Sequence, residues 1–222
     1  MRLLYHLFLS PPCRKVRVAL AEKSLPFDLK AENVTERRAE FLRLNPACEV
    51  PVLVEPDGLV LCGSMPICEY IEEAFPEFKL MPGDAADRAE IRRLVEWFDG
   101  KFNREVTVNL LGEKLMKRLL KLGEPDTTAI RAGHANMRTH LDYIGWLAER
   151  RNWLAGEAFS LADIAAAAHL SALDYINDVP WDDHQPAREW YARIKSRRSF
   201  RAVLADHIPG VPPPRHYADP DF

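Results

Sequence analysis

A proline placed directly before an apolar run constrains this chain more than any other feature. Val50-Pro51 precedes the apolar residues Val52–Val54. Because the proline nitrogen has no hydrogen to donate to a sheet ladder, Pro51 marks the first residue of a strand or an edge position. Asp57-Gly58 then predicts a hairpin turn, and Ser64 predicts the N-cap of a following helix. A strand start beside a helix N-terminus can hold an extended peptide that carries a carboxylate.

Apolar patterns around this proline predict a small α/β domain. Strands are predicted over residues 3–9 and 27–31, and helices after Ser10-Pro11-Pro12-Cys13, over 36–44 and from Ser64 to about Phe75. With the hairpin, the order of elements is βαβαββα, and the first domain spans residues 1–76.

The first predicted helix has one apolar face. Cys13, Val16 and Leu20 recur on it at helical spacing. The basic residues Arg14, Lys15 and Arg17 are therefore expected mostly outside that face. Ser10 stands just before the helix and is chemically suited to be its N-cap.

Beyond a linker at residues 77–84, only helical patterns are found. The second domain, residues 85–206, is therefore predicted to be an all-helical bundle. Ser160 and Asp163 have the spacing of a capping box, to which we assign a structural role. The basic stretch 114–121 predicts either a solvated helix face or a contact surface for an acidic partner.

Residues 207–222 contain five prolines and no periodic pattern, which predicts an extended, proline-rich C-terminal segment. His216, Tyr217 and Phe222 give this segment anchors that a plain linker would lack. Two interpretations remain open. The segment lies on its own domain or across a dimer, or it is a docking peptide that binds a partner.

Composition excludes several classes of function. A net charge of −3 at pH 7 argues against a nucleic-acid binder, because no basic excess is present to neutralise phosphates. The four cysteines form no Cys-x-x-Cys pair and the seven histidines have no ligand spacing, so no metal site is predicted. No apolar stretch approaches the roughly 20 residues of a membrane helix. We expect a cytoplasmic protein with reduced cysteines and no integral membrane association.

Short motifs spread over residues 1–206 together resemble the glutathione S-transferase family. They are Ser10-Pro11-Pro12-Cys13-Arg14-Lys15-Val16-Arg17, Asn45-Pro46, Val50-Pro51-Val52-Leu53, Gly63-Ser64, Ile67, Glu69-Tyr70 and Phe159-Ser160-Leu161-Ala162-Asp163. The resemblance implies a thioredoxin-like N-terminal domain, an α-helical C-terminal domain, a homodimer and a cis peptide bond at Pro51.

The same resemblance implies a glutathione site. The hydroxyl of Ser10 would face the glutathione sulfur and lower the pKa of its thiol, because a hydrogen bond to a thiolate favours the charged form. Cys13 is the alternative reactive group. Val50 would pair its backbone with the cysteinyl unit, and Ser64 would hold the γ-glutamyl carboxylate. Pro51 and Gly63 would belong to the same glutathione-binding site.

Two positions depart from the family pattern. Gly63 stands where the family usually has Glu, Gln or Asp, and Cys48 stands where it usually has glycine. Loss of the acceptor at position 63 removes a charge-assisted hydrogen bond of about 1.5–3 kcal/mol. The site is therefore expected to be degenerate, and whether it binds glutathione as a cofactor or substrate is left open.

Longer blocks in the helical domain and the C-terminal segment resemble one alphaproteobacterial branch of the same family. These blocks are residues 96–99, 113–118, 138–141, 143–156 and 216–222. Members of that branch bind the tubulin-like division protein FtsZ and curve its filaments. The resemblance implies a binding protein for FtsZ filaments at the division site, with His216, Tyr217 and Phe222 as candidate contacts.

Two functions thus remain open, and with them the question of whether the chain is an enzyme. The first is a regulator of FtsZ filament curvature and cell division. The alternative is an active glutathione S-transferase that conjugates glutathione to a hydrophobic electrophile, with Ser10 stabilising the thiolate.

Overall fold

The computed structural model describes residues 1–219, and its internal contacts divide the chain into two compact units. The first unit is Met1–Leu80 and the second begins at Met81. This division falls within the stretch 77–84 that the sequence indicates as a linker. The domain boundaries drawn at residues 76, 84 and 206 stay predictions.

The first unit has the predicted order βαβαββα around a four-stranded mixed sheet, in which the strands are arranged β2-β1-β3-β4. Its elements are β1 Arg2–His6, α1 Pro11–Glu22, β2 Phe27–Ala31, α2 Ala39–Leu44, β3 Val52–Val54, β4 Val60–Cys62 and α3 Ser64–Ala74. β1 is parallel to β2 and antiparallel to β3, and β3 is antiparallel to β4. The predicted fold class is confirmed.

Two predictions about the helices of this unit are wrong. The single helix expected over residues 36–44 is a 3-10 turn, Val34–Glu36, followed by α2, because Arg37 between them has a left-handed backbone with φ of 46°. In α1, the side chains of Arg14 and Lys15 are fully buried and Arg17 is nearly so. The Arg14 Nε donates to the carbonyl oxygen of Phe8 at 2.7 Å, so this cation fixes the turn before the helix.

Over residues 81–219 the second unit contains helices and no β-strand longer than a single bridge, in agreement with the predicted helical bundle. The helices are α4 Ala85–Glu96, which continues through a π-helical segment Trp97–Met116 into α5 Lys117–Leu120, then α6 Thr127–Ala148, α7 Leu161–Tyr175, α8 Gln185–Lys195 and α9 Arg201–Leu204. Every residue of α7 is buried, and its run Ala165–Ala168 has no side chain larger than a methyl group. Small side chains allow the neighbouring helices to pack closely around α7. The predicted capping box of Ser160 and Asp163 is present at its start.

The C-terminal segment is not the extended chain that its prolines predict. Ile208 and Val211 form an isolated bridge, and Arg215–Ala218 form a 3-10 turn. The hydroxyl of Tyr175 accepts from the Ile208 amide at 2.8 Å and donates to the Val211 carbonyl at 2.7 Å. The described part of the segment, up to Asp219, therefore lies on its own unit, which was one of the two interpretations.

Candidate functional site

The predicted site residues of the first unit gather at one end of its sheet. Because β1 and β3 are antiparallel, with Tyr5 opposite Val52, the last residue of β1 and the first residue of β3 lie at the same end of the sheet. Ser10 follows β1 at this end, and Pro51 precedes β3 there. The Val50–Pro51 peptide bond is cis, as the family resemblance implies.

Pro51 and Gly63 are joined directly. β3 and β4 pair Val52 with Cys62, and the next residues continue the hairpin, since the Gly63 amide donates to the Pro51 carbonyl at 3.0 Å. The hairpin thus holds the start of α3 beside the strand start at Pro51. The structure brings together Val50, Pro51, Gly63 and Ser64, which the sequence predicts to form the peptide-binding half of the site.

Ser64 is not the N-cap of α3, which corrects the prediction. Gly63 occupies that position and Ser64 is the first helical residue. Gly63 has φ of 87° and ψ of 147°, a conformation that is essentially restricted to glycine. A carboxylate or amide side chain at position 63 would require strained backbone here, so the glycine fits this conformation and leaves the site without an acceptor.

Ser10 occupies the N-cap position of α1, but its side chain makes no capping hydrogen bond to the helix backbone. Instead it hydrogen-bonds to the thiol of Cys13, which is fully buried. Burial raises the pKa of the Cys13 thiol to about 11, against the opposing effects of the Ser10 hydroxyl, the Leu7 backbone and Arg17. Cys13 is thus held as a neutral thiol, while Ser10 itself is only half-buried.

We expect Cys13 to resist alkylation in the native protein. With a pKa of about 11, about one thiol in 1,000 is ionised at pH 8, and thiolate is the reactive form. Cys62 is the internal comparison, because it is partly exposed whereas Cys13 is fully buried. Mass spectrometry after iodoacetamide treatment at pH 8 should detect modified Cys62 first and modified Cys13 only in urea. Equal native rates would instead favour Cys13 as the alternative reactive group.

Cys48 shows why glycine suits its position. It has φ of 57° in the turn that follows Asn45, and Asn45 accepts from the Ala47 amide at 3.1 Å and donates to the Glu49 carbonyl at 2.8 Å. A left-handed backbone costs a non-glycine residue about 1–2 kcal/mol. The Cys48 side chain is buried with Phe41 and Val52, and this packing offsets part of that cost.

The predicted partner contacts lie in a different setting. Tyr217 is fully buried, its ring packs edge-on against Tyr175 with centroids 5.1 Å apart, and its hydroxyl donates to the Val203 carbonyl at 3.2 Å. His216 is partly exposed, and its Nε2 is 3.0 Å from the Asp174 carboxylate. Phe222 lies outside the described residues. A contact of these residues with a partner stays a prediction.

The second unit contains a polar cluster of Asp174, Lys195 and His216 that no sequence motif predicts. Burial raises the pKa of the Asp174 carboxyl, although the Trp181 indole, Lys195 and His216 oppose this effect. The Lys195 Nζ donates to the His216 carbonyl at 2.8 Å, and burial lowers the pKa of Lys195 to about 8. No sequence spacing links these residues. In the sequence, Asp174 and Lys195 stand in separate helical stretches and His216 stands in the proline-rich segment.

Neither a metal cluster nor a membrane span is found in the described part of the chain. No group of three or more His, Cys, Asp or Glu side chains within residues 1–219 is arranged to hold a metal ion. No helix among these residues is long and apolar enough to cross a membrane.

Comparison with known proteins identifies the family. Residues 4–79 match the glutathione S-transferase N-terminal domain, and residues 127–193 match the glutathione S-transferase C-terminal domain. This chain belongs to the glutathione S-transferase family. As in solved glutathione S-transferases, a mixed four-stranded sheet with helices precedes a helical domain.

Three relatives are similar to this protein over the whole chain. The chain is 51% identical over 224 residues to FtsZ-localized protein A of Caulobacter vibrioides, covering 100% of this chain and 98% of that protein. A solved glutathione S-transferase from Rhodospirillum rubrum is 58% identical, with a TM-score of 0.98 and 100% of both chains covered. Another from Sinorhizobium meliloti is 43% identical, with a TM-score of 0.95 and the same coverage.

Proposed function

We propose that this chain is a transferase-like binding protein that docks on FtsZ filaments and regulates their curvature during cell division. The observation that carries the proposal is the 51% identity to FtsZ-localized protein A, which extends over 100% of this chain. The similarity therefore includes the helical unit and the C-terminal segment as well as the first unit. A family fold alone would not favour this function, because function depends on the sites built on a fold.

The first unit supports a degenerate glutathione site. Gly63 supplies no acceptor for a γ-glutamyl amine, and the buried Cys13 thiol is neutral. The missing charge-assisted hydrogen bond weakens glutathione binding by roughly tenfold to a hundredfold. A folded scaffold of this kind can serve as a binding protein without catalysing a reaction.

A homodimer would give this scaffold the means to bend a filament. A two-fold dimer presents the same patch twice, so each dimer engages two sites on a polymer and gains avidity without new contacts. We infer that the protein acts as such a dimer at the division site.

Co-sedimentation tests the proposal. We expect the full-length protein to pellet with polymerised FtsZ and to remain in the supernatant with unpolymerised FtsZ. A glutathione S-transferase without similarity in the C-terminal segment serves as the control for trapping in the pellet. Equal pelleting of both proteins with the polymer would overturn the function.

An active glutathione S-transferase is the second candidate, and two observations favour it. Ser10 is half-buried at the end of the sheet that also holds Pro51, and a solved glutathione S-transferase from Rhodospirillum rubrum is 58% identical. Calorimetric titration with glutathione and an assay with a chloroaromatic acceptor distinguish the two functions. Turnover that is lost in Ser10→Ala would establish the enzyme, whereas no heat and no turnover at millimolar glutathione would exclude it.

A further inference from the structure

Two leucines at the end of α5, Leu119 and Leu122, are exposed to solvent. Lys121 ends the helix in a left-handed conformation, with its amide bonded to the Arg118 carbonyl and the Leu122 amide bonded to the Lys117 carbonyl at 2.9 Å. In this termination motif an apolar residue at the Leu122 position usually packs back on the helix. Leu122 is instead 66% exposed and Leu119 is 43% exposed. The apolar surface here is therefore directed to solvent.

The basic residues of the same stretch fall into two groups. Lys114 pairs with Asp178, and Lys117 pairs with Glu113 at 2.6 Å. Arg118 and Lys121 are exposed, and within residues 1–219 no carboxylate pairs with either of them. Two uncompensated cations thus flank the exposed leucines. A uniformly solvated basic face, one of the two sequence interpretations, would not include these leucines.

A groove joins this helix end to the C-terminal segment. It has a volume of about 360 Å³ and is lined by Lys114, Leu115 and Arg118 on one side and by residues 211–214 on the other, with residues 175–177 between them. The Tyr175 hydroxyl holds the backbone on that second side through Ile208 and Val211. Because this wall is fixed before a ligand arrives, little ordering entropy is lost on binding.

We propose that this groove and the adjoining tip, defined as Arg118, Leu119, Lys121 and Leu122, form the docking site for an acidic segment of the FtsZ filament that carries an apolar side chain. The proposal rests on the proposed function. The prolines and Leu115 provide an apolar wall, and Arg118 lies at the groove itself. An acidic partner complements the two unpaired cations, and its apolar side chain would cover the leucines.

An anionic membrane is the competing occupant and fits less well. Binding to acidic lipids generally uses clusters of about 4–8 Lys or Arg residues. The tip offers two unpaired cations, and the whole chain carries a net charge of −3. Two cations suit a local contact with carboxylates better than long-range attraction to a charged surface.

Two double variants test the site in the full-length protein. Arg118→Gln with Lys121→Gln removes the charges, and Leu119→Ser with Leu122→Ser removes the apolar surface. The matched control combines Lys79→Gln with Leu59→Ser, which are exposed residues of the first unit. All three variants should keep the wild-type melting temperature, because the changed side chains are exposed.

Co-sedimentation measures how strongly each variant binds to polymerised FtsZ. We expect each tip variant to bind at least tenfold more weakly than wild type, while the control is unchanged. Binding of the wild-type protein to FtsZ should weaken between 50 and 200 mM salt, since salt screens exposed charges. The charge variant should show little of this salt dependence. Wild-type binding by all variants would overturn the docking site but leave the proposed function intact.

Two further outcomes are distinguishable. If wild type itself does not pellet with the polymer, the proposed function fails and the docking site fails with it. If the tip variants bind FtsZ normally but lose binding to vesicles of phosphatidylglycerol that wild type retains, the occupant is a membrane surface and the proposal is wrong. Vesicles of phosphatidylcholine are the control for that measurement.

Discussion

Replacing Asp163 with alanine is expected to remove about 3–5 kcal/mol of the free energy of unfolding. The carboxylate is fully buried. One oxygen accepts from the Leu154 amide at 2.9 Å and the Trp190 indole at 3.0 Å, and the other accepts from the Ser160 amide at 3.0 Å. Each buried N–H left without an acceptor costs about 1–3 kcal/mol. Urea denaturation followed by far-ultraviolet circular dichroism measures the loss.

The chain contains a matched control for this prediction. Asp84 forms a capping box with Asp87 at the start of α4 and accepts from the Ala86 amide at 2.8 Å, but it is exposed. Asp84→Ala should cost only about 1 kcal/mol, because water replaces the lost acceptor. Should Asp163→Ala fail to fold, Asp163→Asn keeps one acceptor oxygen and should show an intermediate loss. Equal losses at the two caps would contradict the role assigned to burial.

Features encoded over a few residues could be predicted from the sequence. The hairpin after Pro51 and the capping box at Ser160 depend on neighbours within about ten positions, and both are present. The fold order followed from the same local patterns, and the family motifs added the cis bond at Pro51. Local chemistry also explains why the helix predicted from Ser64 to about Phe75 is found at Ser64–Ala74.

Features set by distant contacts could not be predicted. Ser64 has good N-cap chemistry, yet the pairing of Pro51 with Gly63 fixes the backbone so that the glycine takes that position. Arg14 was expected to face away from the buried side of α1, but its guanidinium finds the Phe8 carbonyl in the preceding turn. Proline content predicted an extended C-terminal segment, but distant contacts such as those of Tyr217 with Tyr175 and Val203 fold it back.

Tyr217→Ala is expected to release the C-terminal segment and to accelerate trypsin cleavage after Arg215 by at least about a hundredfold. The Tyr217 ring is fully buried against Tyr175, and removing a buried aromatic side chain costs about 3–5 kcal/mol. Because the segment can detach without global unfolding, this loss appears as a larger population of the open form. Trypsin at low concentration reports that population, since reclosing is faster than cleavage. Mass spectrometry of the product that lacks residues 216–222 gives the rate.

Tyr217→Phe separates the ring from the hydroxyl. It keeps the packing of the ring and loses the hydrogen bond to Val203, which is worth about 1 kcal/mol, so cleavage should rise about fivefold. If the segment is docked as described, Tyr217→Ala should also weaken binding to polymerised FtsZ, because residues 212–214 would no longer be fixed as a wall of the groove. Faster cleavage with unchanged FtsZ binding would show that the segment is held by Tyr217 but does not contribute to docking. Unchanged cleavage would show that the buried tyrosine does not hold the segment.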